Sequence, residues 1–226
     1  MNQNLVREEF NRWADLGRGL GMEKSHWQIT LSTIQLMEIG AAKNIFDLGC
    51  GTGWATRILA AKAPSGIAVG ADLSDLMIRQ AKGDVRNPPN VNFIVTEAEL
   101  LPCRANYFDV LLSVESIYYY LDIEAAFSES IRILRPGASG YFLINFYQEN
   151  SYSHCWAEHL SLPVHLLSGK EYCDLLLKVG FASASHRRII DTTPISQDFQ
   201  PSQWHPSLQD MKAFQKEGAL LVIGEK

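Results

Sequence analysis

Apolar residues along the chain first recur at helical intervals and then, from residue 44, in short runs separated by helical segments. Val6, Phe10 and Trp13 fall on one face of a helix that Gly17 would stop. Trp27, Leu31 and Ile34 repeat the pattern in a second helix, with Gly40 just beyond it, and Gly17-Arg18-Gly19-Leu20-Gly21 reads as a flexible join between the two. Apolar runs at 44–49, 67–72, 91–96, 108–114 and 140–146 predict strands, and the segments 53–63, 74–83 and 122–134 predict helices of the length usual in α/β units. Short apolar runs alternating with helices imply a parallel sheet covered on both faces.

Capping residues sharpen several boundaries. Asp122 suits the N-cap of a helix carrying Ile123, Phe127, Ile131 and Leu134, which Pro136-Gly137 would end. Ser168-Gly169-Lys170-Glu171 is a capping box ahead of Tyr172, Leu175, Leu176 and Val179, with Gly180 as the stop. Further strands are expected near 183–190 and at 219–224, and the proline-bearing stretch 192–207 reads as an ordered surface loop. The 226 residues thus read as a single domain: N-terminal helices over 1–40, a central core over 44–144, an insertion at 145–168, and a C-terminal helix and strands over 169–226.

Composition narrows the functional classes. No apolar run is long enough for a membrane span, and the N-terminus turns charged before a signal-peptide core could form. Cys50, Cys103, Cys155 and Cys173 are scattered without a C-x-x-C pair, which points to a reducing, cytoplasmic setting rather than a disulfide framework or zinc ribbon. The formal charge of −5 leans away from nucleic acid as a partner, since such binders need a cationic footprint.

One turn carries specific chemistry. Asp47-Leu48-Gly49-Cys50-Gly51-Thr52-Gly53 leads from a strand into a helix, where glycines let the backbone bend sharply and a ligand approach closely. Its G-x-G-x-G spacing departs from the dinucleotide fingerprint G-x-G-x-x-G/A, because Thr56 or Trp54 would occupy the closing position. Gly17, Gly19 and Gly21 match the same short pattern but follow a helix, so context discounts them. The next strand ends in Asp72, at the carboxyl edge where open α/β sheets bind ligands. A carboxylate there can accept both hydroxyl protons of a ribose; helix capping is the other role open to Asp72, although Ser74 is available for it.

Residues 44–144 resemble class I, Rossmann-like S-adenosylmethionine-dependent methyltransferases of the ubiquinone/menaquinone-biosynthesis-like small-molecule group. The resemblance rests on the 47–53 turn, Gly70-Ala71-Asp72-Leu73-Ser74 with Met77 and Ala81, and Glu97-Ala98-Glu99-Leu100-Leu101-Pro102. Tyr107-Phe108-Asp109-Val110 and Ile133-Leu134-Arg135-Pro136-Gly137 follow in the family's order. It implies a doubly wound, seven-stranded, mostly parallel sheet whose last strand, over 219–224, runs antiparallel. It also implies S-adenosyl-L-methionine as cofactor and S-adenosyl-L-homocysteine as product. By the same resemblance, Gly49 and Gly51 line the methionine end of the cofactor, Asp47 orients the loop, and Asp72 holds the ribose. Leu73 packs on the adenine and Glu97-Ala98 reach its edge, with Cys50 and Ser113 completing the binding set. The family more often has Asp at position 97 and Gly at position 138.

The acceptor is less legible. Asn87-Pro88-Pro89-Asn90 and Pro102-Cys103 resemble motifs of amino- and cytosine-carbon methyltransferases, but both precede the fourth strand, where those motifs do not belong. Ser113 to Asp122 is the segment that borders the transferred methyl group in this family. Within it Glu115 fits either a pocket acid or a helix-start charge, and three adjacent tyrosines, Tyr118 to Tyr120, cannot all point into one core. The aromatic and polar insertion after the fifth strand, with Tyr147, His154 and Trp156, is placed to build a substrate pocket. His154, His159 and His165 lack the spacing of a metal site, so no metal is expected. The expected reaction is methyl transfer to an O, N or C atom of a small molecule, with a proton acceptor drawn from Glu115, Tyr119 or His154. The N-terminal helices, with Trp13, Met22 and Trp27, are expected to cover the cofactor. A protein or RNA acceptor and a non-catalytic cofactor-binding role are the alternatives.

Overall fold

The structure is a computed structural model and describes residues 3–226; Met1 and Asn2 of the N-terminal segment lie outside the described residues. Strands β1 (Ile45–Leu48), β2 (Ala68–Asp72), β3 (Val91–Val95), β4 (Phe108–Val114), β5 (Leu134–Ile144), β6 (Ser183–Ile189) and β7 (Ala219–Glu225) form one sheet. Their order is β3-β2-β1-β4-β5-β7-β6. Only β7 runs against the rest, slotted antiparallel between β5 and β6. Alternate residues feed opposite faces: Phe46, Leu48 and Leu111 enter one apolar layer, and Ile45, Val110 and Leu112 the other. Burial on both faces is why these strands read as continuous apolar runs.

Helices α1 (Gln3–Asp15), α2 (Arg18–Leu36), α3 (Trp54–Lys62), α4 (Asp75–Gly83), α5 (Ile123–Ile133), α6 (Gly169–Lys178) and α7 (Leu208–Glu217) surround the sheet. The expected caps are in place. Ser74 Oγ accepts from Met77 N at 3.0 Å, Asp122 Oδ1 accepts from Ala125 N at 2.9 Å, and Ser168 and Glu171 close a capping box. Helix α1 docks on the start of α4 through Asn11, whose amide donates to Asp75 at 2.9 Å and accepts from Ser74 Oγ at 2.6 Å. That anchor holds the N-terminal helices over the carboxyl edge of β2.

Four local expectations need correction. Gly17-Arg18-Gly19-Leu20-Gly21 is not a flexible join: Gly17 alone bends, at φ +68°, and Gly19 lies inside α2 against Thr52 of the glycine-rich turn. Gly40 lies beyond the end of α2 as expected but not directly after it: the helix stops at Leu36 with Met37 as its cap. Pro136-Gly137 does not end α5. The helix stops at Ile133 and passes straight into β5, where 135–138 bulge out of register with β4 and Gly137 N donates to Lys226 O at 2.7 Å. Finally, α7 was not expected. Its signal was present in Ser207, which accepts from Asp210 N at 3.0 Å, but its turns bury only Phe214, so the apolar periodicity is faint.

Candidate active site

The glycine-rich turn shapes the floor of a cavity at the carboxyl ends of β1 and β2. Gly49 N and Cys50 N both donate to Ala71 O, at 2.8 and 2.9 Å, which folds the turn back over β2. Gly49 takes φ +73° with its Cα face against Ser116; an added Cβ would collide with Ser116 Cβ and Oγ. At Gly51, φ +53°, an added Cβ would meet no protein atom within 4 Å, so the floor is bare backbone facing open space. Both positions need a residue free to adopt left-handed backbone.

Asp72 stands at the rim. Its two carboxylate oxygens accept from Gly51 N and Ser74 N, each at 2.8 Å, so it braces the turn while lining the cavity. Burial pushes its pKa up, against the lowering effect of those N–H groups. Leu73, Met77, Glu97 and Ala98 supply the neighbouring wall. An open backbone floor, a rim carboxylate and a wall of Leu73, Met77 and Ala98 with Glu97 beside them fit a cofactor with a charged tail, a ribose diol and a planar base.

Not every expected residue reaches the cavity. Gly49, Cys50, Gly51, Asp72, Leu73, Glu97, Ala98, Glu115 and Tyr119 line it. Asp47 lies beneath the floor, fully buried, accepting from Thr56 Oγ1 at 2.5 Å; desolvation pushes its pKa up to about 7. Ser113 sits one layer back, its hydroxyl 2.7 Å from that of Ser116, which in turn meets Tyr120 OH at 2.8 Å. His154 is placed outside both cavities, with Nε2 3.1 Å from Gln148 O and its ring against Phe146.

A second cavity of about 550 Å³ adjoins the first. Phe10, Met22, His26, Glu115 and Tyr119 line both, so these five form the seam. Glu115 follows β4 at φ +53°, a conformation that non-glycine residues rarely adopt, and this turns its side chain inward. Its carboxyl accepts from Asn145 N at 2.6 Å and from Tyr118 OH at 2.9 Å. Burial outweighs both bonds and pushes its pKa up to about 8, so at neutral pH it is mostly the uncharged acid. Glu115 is thus a pocket acid and not a helix-start charge. Of the three tyrosines, Tyr118 and Tyr119 are buried with ring centroids 4.4 Å apart, and Tyr120 is partly exposed beside Ser116.

His26 had no local signal in the sequence. It projects from α2, between the two cavities, and burial pushes its pKa down to about 4, leaving a neutral imidazole with a lone pair. Trp204, His205 and Phe214 of the 192–217 region also reach the second cavity, packed against Trp156. Their contribution depends on α7 and the preceding loop folding back over the insertion. Trp156 Nε1 donates to Trp204 O at 2.8 Å, which fixes that closure.

Comparison with known proteins agrees with the geometry. A methyltransferase-domain family matches residues 46–144. A methyltransferase chain in the Haloferax volcanii complex with the Trm112 methyltransferase activator is 31% identical, with a TM-score of 0.88 over 96% of this chain and 97% of that one. The phthiotriol/phenolphthiotriol dimycocerosates methyltransferase of Mycobacterium tuberculosis is 28% identical over 74% of this chain and 62% of its own. The ubiquinone/menaquinone biosynthesis C-methyltransferase of Ectopseudomonas mendocina is 32% identical over 46% and 43% respectively. The chain therefore spans less than two thirds of those two curated relatives. It belongs to the class I S-adenosylmethionine-dependent methyltransferases, whose cofactor is S-adenosylmethionine. Among the described residues no helix is long and apolar enough to cross a membrane, and no cluster of His, Cys, Asp and Glu could hold a metal ion.

Proposed function

We propose that this chain transfers the methyl group of S-adenosylmethionine to a small molecule held in the second cavity. The observation that carries the reading is the seam: two cavities, one walled by the glycine-rich turn and Asp72, the other by aromatic rings, share five residues. The cofactor supplies an already activated methyl group, so the main protein contribution is holding donor and acceptor in line. In this reading Asp72, Gly49, Cys50, Gly51, Leu73, Glu97 and Ala98 seat the cofactor, Asp47 and Ser113 support that wall from behind, and Tyr119 packs at the crossing. Where the acceptor must lose a proton, the neutral imidazole of His26 is the group at the seam able to take it, and Glu115, mostly the uncharged acid, can relay it. His154 lines neither cavity and has no part in that task in this reading. Four free cysteines support a cytoplasmic setting.

The test is incubation with methyl-labelled S-adenosylmethionine and size-fractionated cell extract. Label in a compound below the size of a protein or RNA is the expected result. The Haloferax relative is bound to a protein activator, which favours one second reading, a chain that acts on a macromolecule or works only with such a partner. Label confined to protein or RNA, or appearing only after a partner is added, would select it.

A further inference from the structure

The second cavity is ringed by Trp13, Tyr118, Tyr119, Trp156, Trp204 and Phe214, yet two carboxyl groups, Glu115 and Asp191, stand in its wall. Asp191 lies just past the end of β6, beyond Ile189 and Ile190, and its position is fixed: Oδ1 accepts from Thr193 N at 2.9 Å and Oδ2 from Gln215 Nε2 at 3.4 Å. No ion pair to it is formed among the described residues, whereas Asp75, Asp84, Asp109 and Asp174 each have a lysine or arginine. The other ionisable groups of this cavity do not neutralise it. Arg18 is drawn to the face of Trp13, with 5.1 Å from guanidinium carbon to ring centroid. Burial pushes His26 and His205 down, toward neutral imidazoles, although Asp191 acts on both in the opposite sense; Glu115 is pushed up, toward its neutral acid. Nδ1 of His205 is buried without a hydrogen-bond partner.

We infer that this cavity takes a small molecule bearing a protonated amine on an aromatic body, with Asp191 receiving the ammonium group. Aromatic walls bind such a body through stacking and bind an adjacent cation through the negative faces of the rings. A carboxylate shut in with a neutral ligand would be desolvated without compensation, and an anionic ligand would meet it head on. A cation satisfies it. The cavity's size falls within the range usual for small-molecule sites. This assignment rests on the second cavity being the acceptor site of the proposed methyl transfer, but its test needs no turnover.

Calorimetry would compare three probes with one indole body: tryptamine, the uncharged tryptophol, and the anionic indole-3-propionate, each with and without saturating S-adenosylhomocysteine at pH 7.5. Tryptamine is expected to bind at least about tenfold more tightly than indole-3-propionate, and Asp191→Asn to lower tryptamine affinity about tenfold while leaving tryptophol unchanged. Equal or tighter binding of indole-3-propionate, no tryptamine binding at millimolar concentration, or an unchanged tryptamine affinity in a folded Asp191→Asn protein overturns the inference. The wild-type comparison decides the matter even if the variant does not fold. Loss of S-adenosylhomocysteine binding would instead strike at the methyltransfer reading.

Discussion

Replacing Glu115 with glutamine should change the pH dependence of stability in a direction the structure dictates. The folded carboxyl holds its proton up to about pH 8, against an ordinary value of 4.5, because burial disfavours the anion. Below about pH 4.5 the carboxyl is protonated in both states and contributes no pH dependence. Between there and about pH 8 the unfolded chain gives up a proton that the folded one keeps, so stability falls as pH rises. At ~1.4 kcal/mol per unit that interval bounds the loss at roughly 5 kcal/mol, and relaxation with water entry brings the expectation to about 2–4 kcal/mol. Glutamine keeps the local bonds: its carbonyl can accept from Asn145 N, and its amide can donate to Tyr118 OH. Urea unfolding of both proteins from pH 5 to 9 should therefore show Glu115→Gln close to wild type at pH 5 and increasingly the more stable of the two by pH 8.5. Asp47, also raised, and His26, lowered to about 4, titrate in both proteins and cancel in the difference. A stability difference that stays constant across the range would refute the buried, protonated acid.

Two further outcomes follow from the cofactor side. Asp72→Asn puts an amide N–H against Gly51 N or Ser74 N, so S-adenosylhomocysteine affinity by calorimetry should fall about 10- to 100-fold, from the roughly 1.5–3 kcal/mol of each charge-assisted bond; an unchanged affinity would remove Asp72 from the site. Because α1 and α2 contribute Val6, Phe10, Met22 and His26 to the first cavity, hydrogen exchange should slow over residues 13–27 when S-adenosylhomocysteine binds; unaltered exchange there would mean the helices do not close on the cofactor.

What the sequence determined by itself was whatever short-range physics controls. The alternation of apolar runs and helices specified the sheet, because strands buried on both faces need continuous apolar residues. Gly49, Gly51 and Gly53 stood out as a G-x-G-x-G run between a strand and a helix, where all three indeed take positive φ, and Ser74, Asp122 and Ser168 because a cap acts on the first turn of its own helix. Asp72 was legible from its place at a strand's end. The tertiary structure alone decided which distant groups share a cavity and how far each is removed from water. His26 and Asp191 are 165 residues apart and meet only because the N-terminal helices and the C-terminal loop close over the same sheet edge. Gly19 looked like a linker residue, and only the packing of α2 on Thr52 gave its missing side chain a reason. Glu115 was ambiguous along the chain and became a neutral pocket acid through burial, a property of everything folded around it.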